Sequence, residues 1–178
     1  MIGLFFKKTL FFSKNLSSFE YHISHFNLIN LIKMKIEYNN LYTHFVFTTL
    51  GRQSVILEKN RVRIEKYITG IVNNNSSKLY SIYANPDHIH ILISRTPTLS
   101  EEKMATIIAD SSEDFINKNK LVSGHFQWQQ SASAFSVSKS DVDQVCKYIL
   151  NQPAHHKIVS YAEEYEQFLK YYQDSLKK

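Results

Sequence analysis

Two histidines one residue apart, His88 and His90, are the first place where residue type and spacing suggest chemistry. On a strand, residues i and i+2 face the same side, about 6.5–7 Å apart along the chain. Two imidazoles so placed can converge on one metal ion while Ile89 anchors the strand from its other face. Imidazole alone suits zinc, whereas completion by oxygen ligands suits magnesium or manganese. Taken alone, the pattern equally describes two polar residues on a solvated strand face. The second constellation is Tyr148 with Gln152, four residues apart and so stacked on one helix face. Tyr148 offers a nucleophilic hydroxyl, and Gln152 a carbonyl oxygen that can meet a metal. With 11 tyrosines in the chain, that pair also reads as a half-buried tyrosine beside a solvated amide.

The elements that must position these residues follow from periodicity and turn signals. Leu41 to Thr49 is β-branched and aromatic, a strand stopped at Gly51. Leu57 to Val72 has a helical apolar pattern, and Asn73 to Ser77 is a turn signal. Lys78 to Ala84 and His88 to Ser94 read as strands about the Asn85-Pro86-Asp87 turn. Ser100 caps a helix that begins with Glu101 and Glu102 and runs through Ile116. Phe126 to Val137 alternates as a long strand or ribbon. Ser140 opens a further helix, with Asp143 completing a short capping box. Its apolar stripe is Val142, Val145, Cys146 and Ile149, and Tyr148 and Gln152 stand about 80–110° from the stripe's centre. Pro153 limits that helix, and a last one covers Ser160 to Gln173. The order β-α-β-β-α-β plus helices predicts an α+β, ferredoxin-like (RRM-like) antiparallel sheet, helices on one face, and a C-terminal helix bearing Tyr148.

Composition narrows the class. The 178 residues are 43% hydrophobic, enough for one packed domain, and scarce Gly and Pro exclude a collagen-like or low-complexity chain. A single cysteine, Cys146, excludes a disulfide scaffold. No apolar run reaches the roughly 18 residues of a membrane span. The net charge is +5, but residues 1–33 carry Lys7, Lys8, Lys14 and Lys33 against Glu20, so +3 of it lies there. That leader breaks its apolar run with Lys7-Lys8 and lacks a small-residue cleavage site, unlike a secretory signal. It is expected to be dispensable, with residues 34–178 forming one domain that folds and acts from Met34 onward.

Read together, these segments resemble a known family. Pro86-Asp87-His88-Ile89-His90-Ile91-Leu92-Ile93 is similar to the histidine–hydrophobe–histidine motif of HUH endonucleases. Ala134 to Ser140, continuing from Lys147-Tyr148-Ile149-Leu150-Asn151-Gln152-Pro153 to Lys157, resembles the nucleophile helix of single-tyrosine transposases of the insertion-sequence 200/605 (IS200-like) family, relatives of the REP-associated tyrosine transposases. Gly51-Arg52-Gln53, Lys66 to Ile71 and Phe126 to Gln129 share the likeness, which runs from about Tyr42 to Tyr172.

The resemblance implies a cytoplasmic transposase acting on single-stranded DNA with hairpins. Tyr148 would attack a DNA phosphate, leaving a 5′-phosphotyrosine and a free 3′-hydroxyl. His88, His90 and Gln152 would hold a divalent metal, Mg2+ or Mn2+, and the protein would be a homodimer, the tyrosine helix serving either its own or the partner's histidines. Arg52, Arg61, Arg63 and Lys66 are candidates for phosphate contacts. A solvated helix face of mixed charge explains Arg61 and Arg63 equally well. Trp128 either stacks on a base or packs in the core. His155 and His156 are expected at the surface. Two other readings stay open: a domesticated or inactive DNA-binding copy, and a histidine-based phosphoesterase acting on nucleotides or RNA.

Overall fold

A computed structural model of the chain describes residues 34–156, 162–167 and 170. Chain contacts divide Met1–Tyr38 from Asn39–Lys178, and the sheet and its helices all belong to the second unit. The expected leader lies outside the described residues, as does much of the last expected helix, of which residues 162–167 are helical.

Four strands form one antiparallel sheet. They are β1 (Tyr42–Thr48), β2 (Lys78–Ala84), β3 (His88–Ser94) and β4 (Ser133–Val137), in the spatial order β2-β3-β1-β4. Helices α1 (Glu58–Asn74) and α2 (Glu101–Lys118) cross over between strands. This is the expected ferredoxin-like α+β plan. Among the described residues, no helix is long and apolar enough to cross a membrane.

The period of two in β1 and β3 decides what each sheet face becomes. Phe45 and Phe47 with Ile89, Ile91 and Ile93 point into the main core. There they meet Ile64, Ile68, Ile71 and Val72 of α1 and Met104, Ile108 and Ile116 of α2. Each such side chain contributes about 1.5–3 kcal/mol by leaving water. The alternate residues, His44, Val46, His88, His90 and Leu92, belong to the other face, which is also buried. Helix α3 (Val142–Leu150) covers it with Val142 and Ile149, packed with Tyr42 and Leu92. Cys146 lies at the edge of this smaller cluster, as its place on the stripe predicts.

Two expectations need correction. Phe126 to Val137 is not one long strand, because only Ser133–Val137 pairs regularly with β1. Side chains of α2 take over the upstream backbone bonds: Phe126 N donates to Asn117 Oδ1 at 2.8 Å, and Trp128 N to Glu113 Oε2 at 3.1 Å. An isolated bridge, Thr49 with Trp128, is the remaining sheet contact. The start of α3 also differs. Asp141, not Ser140, occupies the N-cap without a side-chain capping bond. The Ser140 hydroxyl instead donates to Asp141 Oδ1 and contacts Ser138. The Ser100 cap of α2 is present, its Oγ accepting from Lys103 N at 3.1 Å.

Candidate active site

Antiparallel pairing of β1 with β3 sets Val46 opposite His90 and Thr48 opposite His88. His44 is therefore a diagonal neighbour of His90 on the same face, within reach of a long side chain. Its Nε2 lies 3.0 Å from His90 Nδ1, and the rings stack with centroids 5.2 Å apart. His88 is fixed in a similar way from the adjacent turn. Its Nδ1 donates to Asp87 Oδ1 at 2.7 Å. In both ligand candidates the Nδ1 atom is engaged, which directs Nε2 into the shared space below α3. A carboxylate behind an imidazole, as Asp87 stands behind His88, is a usual way to fix the tautomer of a metal-binding histidine.

That shared space is lined by groups from well-separated parts of the chain. Tyr148 and Gln152 do not share one helix face as expected: α3 ends at Leu150, and after Asn151, Gln152 opens a short helix, α4 (Gln152–His155), with Pro153 in its first turn. Gln152 is fully buried there. Its carbonyl oxygen accepts from Asn85 Nδ2 at 3.0 Å, and its own amide donates to Glu164 Oε1 at 3.1 Å. Asn85 also donates to His88 Nε2 at 2.9 Å. His156 follows α4, with its Nε2 3.1 Å from His88 Nε2. Glu164, from the helical residues 162–167, is 3% exposed. Its oxygens lie 3.7 Å from His90 Nε2, 3.9 Å from His88 Nε2 and 3.4 Å from His156 Nε2.

Tyr148 stands over this cluster. Its ring is 5.7 Å from that of His90, 6.3 Å from His44 and 5.6 Å from His155, each edge to face. The tyrosine and the paired histidines therefore meet within one chain, brought together by the packing of Ile149 and Val142 on the sheet.

Burial sets the charge states. It lowers the His44 imidazole to about 4. It also drives His90 well below the ordinary 6.5, helped by the neighbouring histidines. His155 is lowered by burial and then by His156. Imidazoles kept neutral in this way retain the lone pairs that a metal requires. Burial pushes the Glu164 carboxyl up to about 7, and the charge of Asp87 adds to the rise. Asp87 moves down: burial opposes this, but its bond to His88 and that ring's charge hold it below the usual range.

These residues fit a divalent cation. His90 Nε2 and Glu164 Oε2 are buried without a hydrogen-bond partner among the described residues, a costly condition that an ion would relieve. One ligand atom from each of His88, His90, His156 and Glu164 lies within 4.8 Å of the others.

The residues expected from sequence divide into two groups. His88, His90, Gln152 and Tyr148 come together. Arg61, Arg63 and Lys66 lie on α1, which packs on the opposite sheet face. Arg61 is engaged there by Glu58 at 2.8 Å and Glu65 at 3.0 Å, and Arg63 by Asn119. Lys66 is exposed. Arg52 is exposed on the Leu50–Arg52 turn, which follows Thr49, whose N–H donates to the Asp87 carbonyl. Trp128 is 6% exposed and its indole N–H donates to buried Ser112 at 2.9 Å, so its ring is a wall of the main core. His156, expected at the surface, is half-buried in the cluster. Glu164, Asp87, Asn85 and His44 are site residues that sequence reasoning does not single out. The carboxylate beside the His-x-His motif is the one local signal for any of them.

A strand-borne His-x-His pair facing a tyrosine helix, on a ferredoxin-like sheet, is the arrangement of an HUH-type tyrosine transposase. Residues 37–152 match the family model for the IS200-like transposases, and the chain belongs to that family, a family of metal-dependent DNA strand transferases. Among solved structures it is similar to a chain described as a transposase from Deinococcus radiodurans R1, at 21% identity and a TM-score of 0.52, over 68% of this chain and 98% of that one. It is also similar to a REP-associated tyrosine transposase bound to a REP hairpin, at 14% identity and a TM-score of 0.53, over 72% of this chain and 76% of that one. These likenesses are of fold. A comparison with curated proteins finds no match.

Proposed function

We propose that this transposase cleaves and rejoins single-stranded DNA bearing hairpins, using Tyr148 as its nucleophile. The observation that carries the reading is Tyr148 standing against His90 over one buried polar cluster. The Tyr148 oxygen forms a bond to phosphorus as the bond from phosphorus to the 3′ oxygen breaks. The phenolic proton passes to solvent water, the 3′ oxygen takes one up from solvent water, and the 5′ phosphate remains on the tyrosine. Because the phosphoester is retained, rejoining to another 3′-hydroxyl needs no nucleotide. A phenol has an ordinary pKa near 10, so the phosphate must be strongly polarised. A divalent ion, Mg2+ or Mn2+, bound at His88 and His90 would supply that Lewis-acid polarisation. Gln152, the expected oxygen donor, stands beside the two imidazoles.

DNA would approach past the Leu50–Arg52 turn, where exposed Arg52 can meet a phosphate. Lys66 and the other α1 cations suit contacts remote from the reacting phosphate. The hairpin-bound relative supports a hairpin substrate, to be read here through backbone shape. The protein would act as a cytoplasmic homodimer. Tyr148 meets the histidines of its own chain in the single protomer described, and in a dimer the tyrosine helix would serve those or the partner's. The test is to incubate the full chain with hairpin-bearing single-stranded DNA and Mn2+ and to resolve protein–DNA adducts by denaturing electrophoresis. An adduct is expected with the natural chain and none with Tyr148→Phe. An adduct that survives Tyr148→Phe defeats the mechanism.

A further inference from the structure

Four donors, not three, surround the space in front of the His-x-His pair, and two of them lie beyond the segment that matches the family model, which ends at Gln152. We propose that Glu164 and His156 are direct ligands of the divalent metal, with Glu164 supplying its anionic oxygen. The inference rests on the reading of His88 and His90 as metal ligands and extends that site into the C-terminal part of the chain.

Distances carry the argument. Metal bonds of about 2.0–2.2 Å put neighbouring ligand atoms roughly 3.0–3.5 Å apart in octahedral or tetrahedral sites. His156 Nε2 lies 3.1 Å from His88 Nε2 and 3.4 Å from Glu164 Oε2. His90 Nε2 is 3.7 Å from Glu164 Oε1, and His88 Nε2 is 3.9 Å from Glu164 Oε2, so small movements close the set. One imidazole N–H donating to the other accounts for the 3.1 Å contact of His156 with His88, but nothing comparable accounts for the carboxylate. Glu164 is buried among histidines, yet its Oε2 has no hydrogen bond among the described residues. A buried carboxylate in that condition is costly unless it is neutralised or coordinates a metal.

Gln152 ties Glu164 to the site: its carbonyl oxygen accepts from the Asn85 amide, which also donates to His88 Nε2, and its own amide donates to Glu164 Oε1 at 3.1 Å. Glu164 Oε2 is thereby turned toward His156 and His88. Imidazoles joined by a single carboxylate suit Mn2+ better than Mg2+, which favours oxygen donors and retained water.

The experiment is calorimetric titration of Mn2+ into the full chain, with thermal unfolding in EDTA as the fold control. Glu164→Ala is expected to weaken Mn2+ binding by about 100-fold and the near-isosteric Glu164→Gln by less. His156→Ala is expected to weaken it comparably to Glu164→Ala, and Mg2+ to bind more weakly than Mn2+. Glu164→Gln keeps the side chain's shape and removes a buried charge, so it serves if the alanine variant is unstable. Binding within about threefold of the natural chain in both Glu164 variants, a difference under about 0.7 kcal/mol, overturns the proposal. A natural chain that takes up no Mn2+ overturns it as well. Failure of the nucleophile reading is separate, since it appears as an adduct that persists in Tyr148→Phe.

Discussion

The two faces of the sheet are made from the same two strands, yet they were built for opposite tasks. Residues 45, 47, 89, 91 and 93 of β1 and β3 form an apolar layer under α1 and α2. Residues 44, 88 and 90, one step along, form a buried layer of imidazoles under α3. Both layers exclude water, but only the first gains free energy simply by doing so. The second removes polar atoms from water and satisfies only part of them, through Asp87, His44, Asn85 and Gln152, leaving His90 Nε2 and Glu164 Oε2 without a hydrogen bond among the described residues. The apolar layer thus provides stability, and the polar layer spends part of it on chemistry. A one-residue register slip would exchange the layers, which is why Ile89 and Ile91 between and beside the histidines matter as much as the histidines themselves.

Substitution at adjacent positions separates the two tasks. His90→Ala is expected to reduce adduct formation by at least about 100-fold, in line with loss of a group acting in the transition state. It should change unfolding free energy by only about 1–2 kcal/mol, the range for a lost buried hydrogen bond. Ile91→Ala should do the reverse, costing about 2–5 kcal/mol of stability through the cavity it leaves. Adduct yield per folded molecule should survive that change. Urea unfolding alongside the adduct assay measures both, and equal stability losses from the two variants would erase the distinction between the faces.

Acid should attack the polar face first. His44 titrates at about 4 in the fold against an ordinary 6.5, so the unfolded chain binds a proton that the folded one refuses. Its contribution is fully present above pH 6.5 and is lost as pH falls toward 4, about 3 kcal/mol in all. Glu164 works in the opposite sense, its raised carboxyl favouring the fold below 4.5 and opposing it as pH rises toward 7. In EDTA, the stability of His44→Phe should therefore fall less steeply between pH 6.5 and 4 than that of the natural chain. An unchanged slope would contradict the buried neutral state of His44.

Smaller effects belong to the apolar side. Ser112→Ala leaves the buried Trp128 indole N–H without its acceptor and should cost about 1–3 kcal/mol. A stability loss without loss of DNA binding is the outcome expected of a core tryptophan, whereas weakened DNA binding at constant stability would restore a stacking role. Ser100→Ala, which removes the α2 cap, should cost about 1 kcal/mol and leave the polar face unaffected.

Most of the fold is legible because its signals are local. Alternation in Lys78 to Ala84 and His88 to Ser94 marks strands with the observed bounds. The stripe Val142, Val145, Cys146, Ile149 orients the tyrosine helix. The Phe126 to Val137 alternation misleads because side chains of the preceding helix, Asn117 and Glu113 of α2, take the backbone bonds of a strand ladder, which alternation cannot reveal. The site is legible to the extent that it is motif: His88, His90, Tyr148 and Gln152. His44 is hidden in a strand whose neighbours are aromatic and β-branched. Glu164 is hidden in a charged helical stretch, where an acid ordinarily faces water. Only tertiary folding turns it inward, and no spacing rule connects it to His88.

The central claim is that the polar face and the tyrosine helix form one covalent-transfer site. It is tested most directly by trapping the adduct on hairpin-bearing single-stranded DNA with Mn2+, digesting it with protease and nuclease, and sequencing the modified peptide by mass spectrometry. The nucleotide is predicted on Tyr148, joined through a 5′ phosphate. A nucleotide on any other residue, or cleavage of the DNA with no modified peptide, would contradict it.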